Sequence, residues 1–357
     1  MPDGEPAPLP PLLRAFLVAG LAALALAAVT LGARVVVPVV EALLVCFILN
    51  AGAGAIRRLP VVGRHLPRPL ALVLAAAVAF AAGFWVVQTA VRELAAIGPQ
   101  LAQAQQALGP LLERAIGPVD FTDRDVLGRL VDTFGLGQAL RQIVAATAAT
   151  ISHFSIVAIY VGFLLVDQQF LDAKLDLLVP NPARRARVRR LFDEVAGSIQ
   201  AYLWIMTRVS ALTAVLSYAV MRLAGLDFAF FWATAIFFLN YIPTVGSILG
   251  TVLPAAFAVL QFQALGPVVA VLAGIGAVQF VIGNILLPRM AGQVLNISLA
   301  ATIFSLFFWG ALWGITGMFV AMPLTAILII AFGHFEPTRP VAVLLSRTGE
   351  LSRPGGS

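Results

Sequence analysis

The sequence predicts an all-α polytopic membrane protein of about eight transmembrane helices, with broken or re-entrant helices in its C-terminal half and a small helical extracytoplasmic insertion. Three observations predict it. Hydrophobic residues make up 61% of the 357-residue chain and charged residues only 11%, against roughly 45–50% and about 25% in soluble domains. Eight apolar blocks, near residues 12–33, 35–56, 69–91, 143–166, 202–223, 228–260, 266–287 and 299–332, reach the length of about 20 residues that one crossing needs. Two of them, 228–260 and 299–332, exceed what a straight crossing takes, and both contain Pro and Gly.

The polar regions orient these blocks. Residues 57–68 hold Arg57, Arg58, Arg64 and Arg68 with no acid, whereas residues 92–141 mix five Arg with six acids. Arg184, Arg185, Arg187, Arg189 and Arg190 crowd into seven residues of the third polar region. Cytoplasmic loops carry the excess of Lys and Arg, so the first and third regions are expected inside and the mixed one outside. An even number of crossings then leaves both termini cytoplasmic. Asp3 and Glu5 precede the first block and no clean small-residue cleavage site follows it, so it reads as a retained span.

The expected organisation is three transmembrane helices over 1–91, an extracytoplasmic helical insertion over 92–142 and a fourth transmembrane helix over 143–166. A cytoplasmic basic amphipathic helix follows over 167–201, where Asn181 can cap a helix with Pro182 in its first turn. A C-terminal bundle with broken helices over 202–335 and a disordered cytoplasmic tail over 336–357 complete the chain.

The run 228–260 carries no charge, yet holds Asn240, Tyr241, Pro243, Thr244, Gly246 and Gly250 where a plain anchor would hold Leu and Val. A break in the backbone at membrane depth survives only buried in protein or lining a wet cavity. A discontinuous helix also exposes N–H and C=O groups that can hold a polar solute. Residues 240–250 are therefore expected to line a permeation path, within a broken span or, as the alternative, a re-entrant hairpin. Pro254 and Pro323 recur in the two long blocks, an internal echo, and Gly246-x-x-x-Gly250 and Gly310-x-x-x-Gly314 permit close helix contact. Asn50, Gln88, Gln279 and Asn284 also fall in or beside apolar blocks, where such side chains commonly bond helices together. Glu41 and Arg208 are the intramembrane charges; both lie near block ends, which does not place either as a mid-membrane proton carrier.

Several function classes are excluded. The net charge of +6 comes from 22 Arg and one Lys, and their clustering between apolar blocks is the positive-inside pattern, so no nucleic acid partner is expected. Cys46 is the single cysteine, and His65, His153 and His334 are scattered. No His-Glu-x-x-His, phosphate-binding loop or pair of carboxylates within a span is present. Neither an enzyme, nor a cofactor, nor a metal site is expected.

Three ordered motifs resemble those of the autoinducer-2 exporter-like transporters of bacteria. The first runs Asn240-Tyr241-Ile242-Pro243 through Gly246 to Pro254, and the second is Asn284, Pro288 and Gly292. The third comprises Phe308-Trp309-Gly310, Gly314-Ile315-Thr316-Gly317-Met318 and Pro323-Leu324-Thr325. Pro38 and Asn50 sit as in the family's second span, and the likeness covers about residues 35–332. Departures are Met206-Thr207 where relatives often have Lys-Thr, Asn50-Ala51-Gly52 without the following proline, and Ile315-Thr316 without a proline between the glycines.

The resemblance implies a multi-pass transporter of the bacterial inner membrane, a homo-oligomer in contact with membrane lipids. Some members export the quorum-sensing molecule autoinducer-2 and others exchange sodium for protons. The expectation is therefore a secondary transporter exporting a small polar metabolite, with a sodium/proton antiporter or a non-transporting scaffold as alternatives. Its expected path residues are Asn240, Tyr241, Pro243, Thr244, Gly246, Gly250, Pro254, Asn284, Pro288, Gly314, Gly317, Pro323 and Thr325.

Overall fold

The structure is a computed structural model that describes residues 10–58, 66–86, 88–89, 92–93, 155–262, 264–291 and 295–349. Apart from Arg92 and Glu93, the expected insertion over 92–142 lies outside the described residues, as do Gly292 and the basic residue Arg64.

α1 (Pro11–Leu31) and α2 (Ala33–Arg57) meet at Gly32, and α3 (Arg68–Val86) and α4 (Ser155–Leu178) pack against α2. Small residues line that contact. Ala42, Cys46, Ala53, Ala71 and Ala75 are buried together with Leu49, Val157 and Val161, the choice that lets helix backbones approach where lipid supplies no hydrophobic drive. Asn50 works there as glue: its Nδ2 donates to the Cys46 carbonyl at 2.9 Å and to Gln168 Oε1 at 3.1 Å.

α5 (Pro182–Leu223) is a single helix of 42 residues, about 63 Å long at 1.5 Å per residue and about twice the hydrocarbon thickness. The Asn181 side chain accepts from the amides of Ala183 and Arg184, at 2.9 and 3.2 Å, as its cap. The expected boundary between a basic amphipathic helix and a fifth span, at 201/202, does not exist. No proline after Pro182 interrupts the run, so the two are one rod. Arg185 and Arg189 of its first turns pair with Asp176 and Asp172 at 2.9 and 3.1 Å.

The two long apolar blocks fold back on themselves. α6 (Ala229–Leu239) and α7 (Val245–Phe262) flank a turn over 240–244. The ring of Phe257 meets those of Phe228 and Trp232, each at 5.7 Å between centroids. At the base, Gln261 donates to the Gly225 carbonyl and accepts from the Asp227 amide. α8 (Leu265–Met290) comes next, with a π-helical turn over Ile282–Leu286. α9 (Leu299–His334) reverses at Gly314, whose φ of 63° and ψ of −142° break the helix. Past that turn Ser305 donates to the Ala321 carbonyl at 3.1 Å. The preferred reading of two broken through-spans is thus corrected: both blocks are helical hairpins. Gly246 and Gly317 make the reversals possible. A Cβ on either would run into a carbonyl of the opposite arm, that of Leu239 or Trp309.

The hairpins enter from opposite ends of the bundle. The α6–α7 base adjoins the C-terminal end of α5, whereas His334, closing α9, lies 3.6 Å from Glu194 near the other end of α5. Their tips meet at mid-bundle. The Tyr241 ring stacks on Phe319 at 4.7 Å, and its hydroxyl lies 2.8 Å from Thr207 Oγ1 of α5. Leu44, Ile199, Leu203, Met206 and Val320 close the core around that junction.

Residues 339–349 are not the disordered tail expected. α10 (Arg339–Leu345) packs on α9, and Ser346 pairs antiparallel with Ile297. The apolar residues Val341 to Leu345 supply the helix, and backbone pairing fixes Ser346 and Arg347 beyond it.

Glu93, just beyond α3, reaches across to cap α6: its carboxylate accepts from the Phe231 amide at 2.7 Å, beside the Trp85–Phe230 ring contact at 5.2 Å. Desolvation raises the Glu93 pKa above the ordinary carboxylate value, while the Phe231 hydrogen bond pulls it down. A raised folded-state pKa means that the stability this group contributes is present below the ordinary value and is lost as pH rises through the raised one. Glu93→Gln keeps the acceptor and cannot ionise, so its melting temperature in detergent should gain on that of the native chain as pH rises above the ordinary carboxylate range. Glu93→Ala should lose the cap at all pH values, a cost of about 1 kcal/mol. An Ala variant as stable as the native chain would remove Glu93 as a cap.

Candidate functional site

A cavity of about 900 Å³ lies between the two hairpins and α8. Its wall begins at the α6–α7 tip with Asn240, Ile242, Pro243 and Thr244, and continues up one face of α7 with Ser247, Ile248, Thr251 and Val252. Gly276, Gln279, Phe280, Gly283, Asn284 and Leu287 form the α8 wall; their three- and four-residue spacing is one helical face. Tyr202, Ile205 and Met206 of α5 and Thr302 and Met322 of α9 close the sides. Leu295, Asn296, Ile297 and Arg347, next to the base of α9, complete the lining.

The tip is built by side-chain and backbone economy. The amides of Asn240, Tyr241, Ile242, Val245, Gly246 and Ile248 all bond to carbonyls between Ile236 and Thr244. The break therefore does not leave these N–H groups free, and the polar surface it offers is made of side chains. Thr244 has φ of 62°, a conformation costing a β-branched residue on the order of 1–3 kcal/mol and typical of functional sites. Its carbonyl accepts from Ser247 Oγ at 2.9 Å. On the opposite wall the π-helical turn carries Asn284, whose Nδ2 donates to the Phe280 carbonyl at 3.1 Å; such turns recur at functional sites. Gln279 Nε2 is packed beside Gly250 without a hydrogen-bond partner among the described residues, a state that costs free energy.

Of the path residues expected from the sequence, Asn240, Pro243, Thr244 and Asn284 line this cavity. Tyr241 instead ties the tip to α5 and α9, and Gly246 and Gly250 allow close approach, Gly250 to Ile236 and Gln279. Pro254, Gly317 and Pro323 are buried inside the hairpins, Gly314 turns the second one, and Pro288 sits at the exposed end of α8. Thr325 is enclosed between the arms of α9: Trp309 Nε1 donates to it at 3.4 Å, and it bonds Ser305 in turn. Neither intramembrane charge lines the cavity; the Arg208 guanidinium lies over the Trp204 ring, 5.4 Å from its centroid. Ser247 falls within the expected 240–250 stretch, whereas Thr251 and Thr302 read as ordinary polar residues in apolar runs, although 240, 244, 247 and 251 fall at helical spacing. Asn296 and Arg347 lie outside every apolar block and carry no sequence signal for a cavity.

The AI-2E family transporter model matches residues 15–336 of this chain. The chain belongs to that family. It is 30% identical over 342 residues to the AI-2 transport protein TqsA of Escherichia coli K12, covering 94% of this chain and 96% of that protein. A putative transport protein of Haemophilus influenzae is 29% identical over 328 residues, 90% of this chain and 92% of its own length. The E. coli putative transport protein YhhT shares 33% identity over 193 residues, about half of each chain. As a member of the AI-2E family the protein is a multi-pass membrane transporter of a small solute. Among the described residues, six helices are long and apolar enough to cross a membrane.

Proposed function

We propose that this AI-2E family member is a secondary transporter that exports a small polar metabolite, of the autoinducer-2 kind named for the E. coli relative, across the bacterial inner membrane. One observation carries the reading. The cavity where two opposed hairpins meet is lined by uncharged hydroxyl and amide groups. Asn240, Thr244, Ser247, Thr251, Gln279 and Asn284 offer hydrogen bonds suited to a hydroxyl- or carbonyl-bearing solute. No Asp or Glu is among its described lining residues, so the cation/proton antiport reading finds no carboxylate carrier there. The basic loops favour both termini in the cytoplasm, and lipid-facing apolar helices suit a homo-oligomer in the bilayer.

Two linked measurements test this. Deleting the gene should deplete a polar metabolite from the medium and raise it in the cell, as found by untargeted comparison of the two. The purified full chain in proteoliposomes should then move that compound. Unchanged metabolite profiles together with solute-tight proteoliposomes would overturn the proposal.

A further inference from the structure

The AI-2E family match ends at residue 336, yet the chain continues into the cavity. After α10 the segment 345–348 runs back along residues 296–298: Ser298 N donates to the Leu345 carbonyl and Arg347 N to the Asn296 carbonyl, both at 3.0 Å. Thr348 Oγ1 donates to Asn296 Oδ1 at 3.2 Å, and Gly349 N to Ser346 Oγ at 3.0 Å. Ser346 is 6% exposed. This C-terminal strap thus has its backbone pinned on both sides of Arg347, and Arg347 lines the cavity.

Among the described residues lining the cavity Arg347 is the one ionisable cation and no carboxylate is present. Its guanidinium makes no ion pair or hydrogen bond with a described residue. Arg347 is exposed to solvent, and the strap fixes its backbone where its side chain borders a cavity of hydroxyls and amides. Guanidinium groups present a planar fork that matches carboxylate and phosphate oxygens, and a fixed charge bordering a cleft biases which ions enter it.

We propose that Arg347 is a specificity-determining residue of this transporter: it draws into the cavity solutes that carry a carboxylate or phosphate group and disfavours cations. The inference rests on the cavity being the solute path and narrows the small polar solute to acidic members of that class. An anionic lipid headgroup shares the same chemistry, so the test must tell the two sources apart.

The test uses the full chain in nanodiscs, with Cys46→Ala removing the native thiol and Ser247→Cys placing a reporter in the cavity wall. Its modification rates by an anionic and a cationic methanethiosulfonate are compared, each relative to a free thiol. The anionic reagent should be favoured severalfold at low salt, because a fixed positive charge attracts the anion and repels the cation. The preference should fade in 0.5 M salt, vanish in Arg347→Gln and persist in Arg347→Lys. A ratio equal to the free thiol's at low salt, or one unchanged by Arg347→Gln, overturns the proposal; the salt titration needs no Arg347 variant to fold. Ribose 5-phosphate should protect the reporter at about tenfold lower concentration than ribose, and equally with ribose in Arg347→Gln. Equal protection in the native background, or none from either sugar, overturns the assignment to a solute. So does an anionic preference lost only when phosphatidylglycerol joins phosphatidylcholine, which would give Arg347 to a headgroup. None of these results depends on Asn240, whose loss of transport is read separately, so failure of the path and failure of this inference remain distinguishable.

Discussion

Asn240→Leu should reduce solute flux about a hundredfold while leaving the protein in the membrane at native abundance. The substitution keeps the branched four-heavy-atom side chain, and no described residue bonds the side-chain amide that it removes. The backbone amide of residue 240 bonds to the Ile236 carbonyl, and this bond survives the exchange. What changes is the cavity wall at the hairpin tip, where Asn240 stands beside Pro243 and Thr244. A solute hydroxyl or carbonyl left without its partner in that enclosure costs up to about 3 kcal/mol, a factor of about a hundred at 1.4 kcal/mol per decade. Flux into proteoliposomes, normalised to inserted protein, reads the effect. Native flux in the variant would remove Asn240 from the path.

The second large effect concerns the reversals. Gly246→Ala and Gly317→Ala should each destabilise the protein by about 3 kcal/mol or more, the upper range of overpacking penalties. The added methyl would meet a backbone carbonyl of the facing arm, Leu239 in one hairpin and Trp309 in the other. A carbonyl cannot rotate aside as a side chain can, so the arms must separate, and with them the Tyr241–Phe319 stack that joins the tips. Gly197→Ala is the control: nothing lies within 4 Å of its added Cβ on α5, and alanine in a helix interior is favoured over glycine by about 1 kcal/mol. Melting curves in detergent and membrane abundance measure all three. Gly246→Ala or Gly317→Ala variants as stable as Gly197→Ala would contradict the hairpin geometry.

Much of this architecture was legible beforehand. Uncharged blocks the length of a bilayer crossing are a direct consequence of hydrocarbon excluding charge, so composition alone established the membrane class. The Asn181–Pro182 helix start arose from local capping chemistry. Asn240, Thr244 and Asn284 were recognisable because an amide or hydroxyl in an apolar run is conspicuous. The hairpins were less legible. Residues 228–260 and 299–332 were visibly too long, but a break at Pro243 or Gly314 is compatible with a span that continues or one that turns back. Only the contacts of Phe257 with Phe228 and of Ser305 with Ala321 distinguish the two.

The sequence by itself determined that this chain lives in a membrane, where its polar breaks fall, and which loops carry positive charge, because each depends on residue type over windows of a few to about 20 residues. The tertiary structure decided what those breaks are for. Whether Tyr241 lines a cavity or locks a tip depends on Thr207, 34 positions earlier, and whether Arg347 is a tail residue or a cavity charge depends on pairing with Asn296, across 51 positions of chain. Such partners are set by packing between helices, which no local pattern encodes. The break at Pro243 marks one wall of the cavity between the hairpins, and residues far along the chain close it.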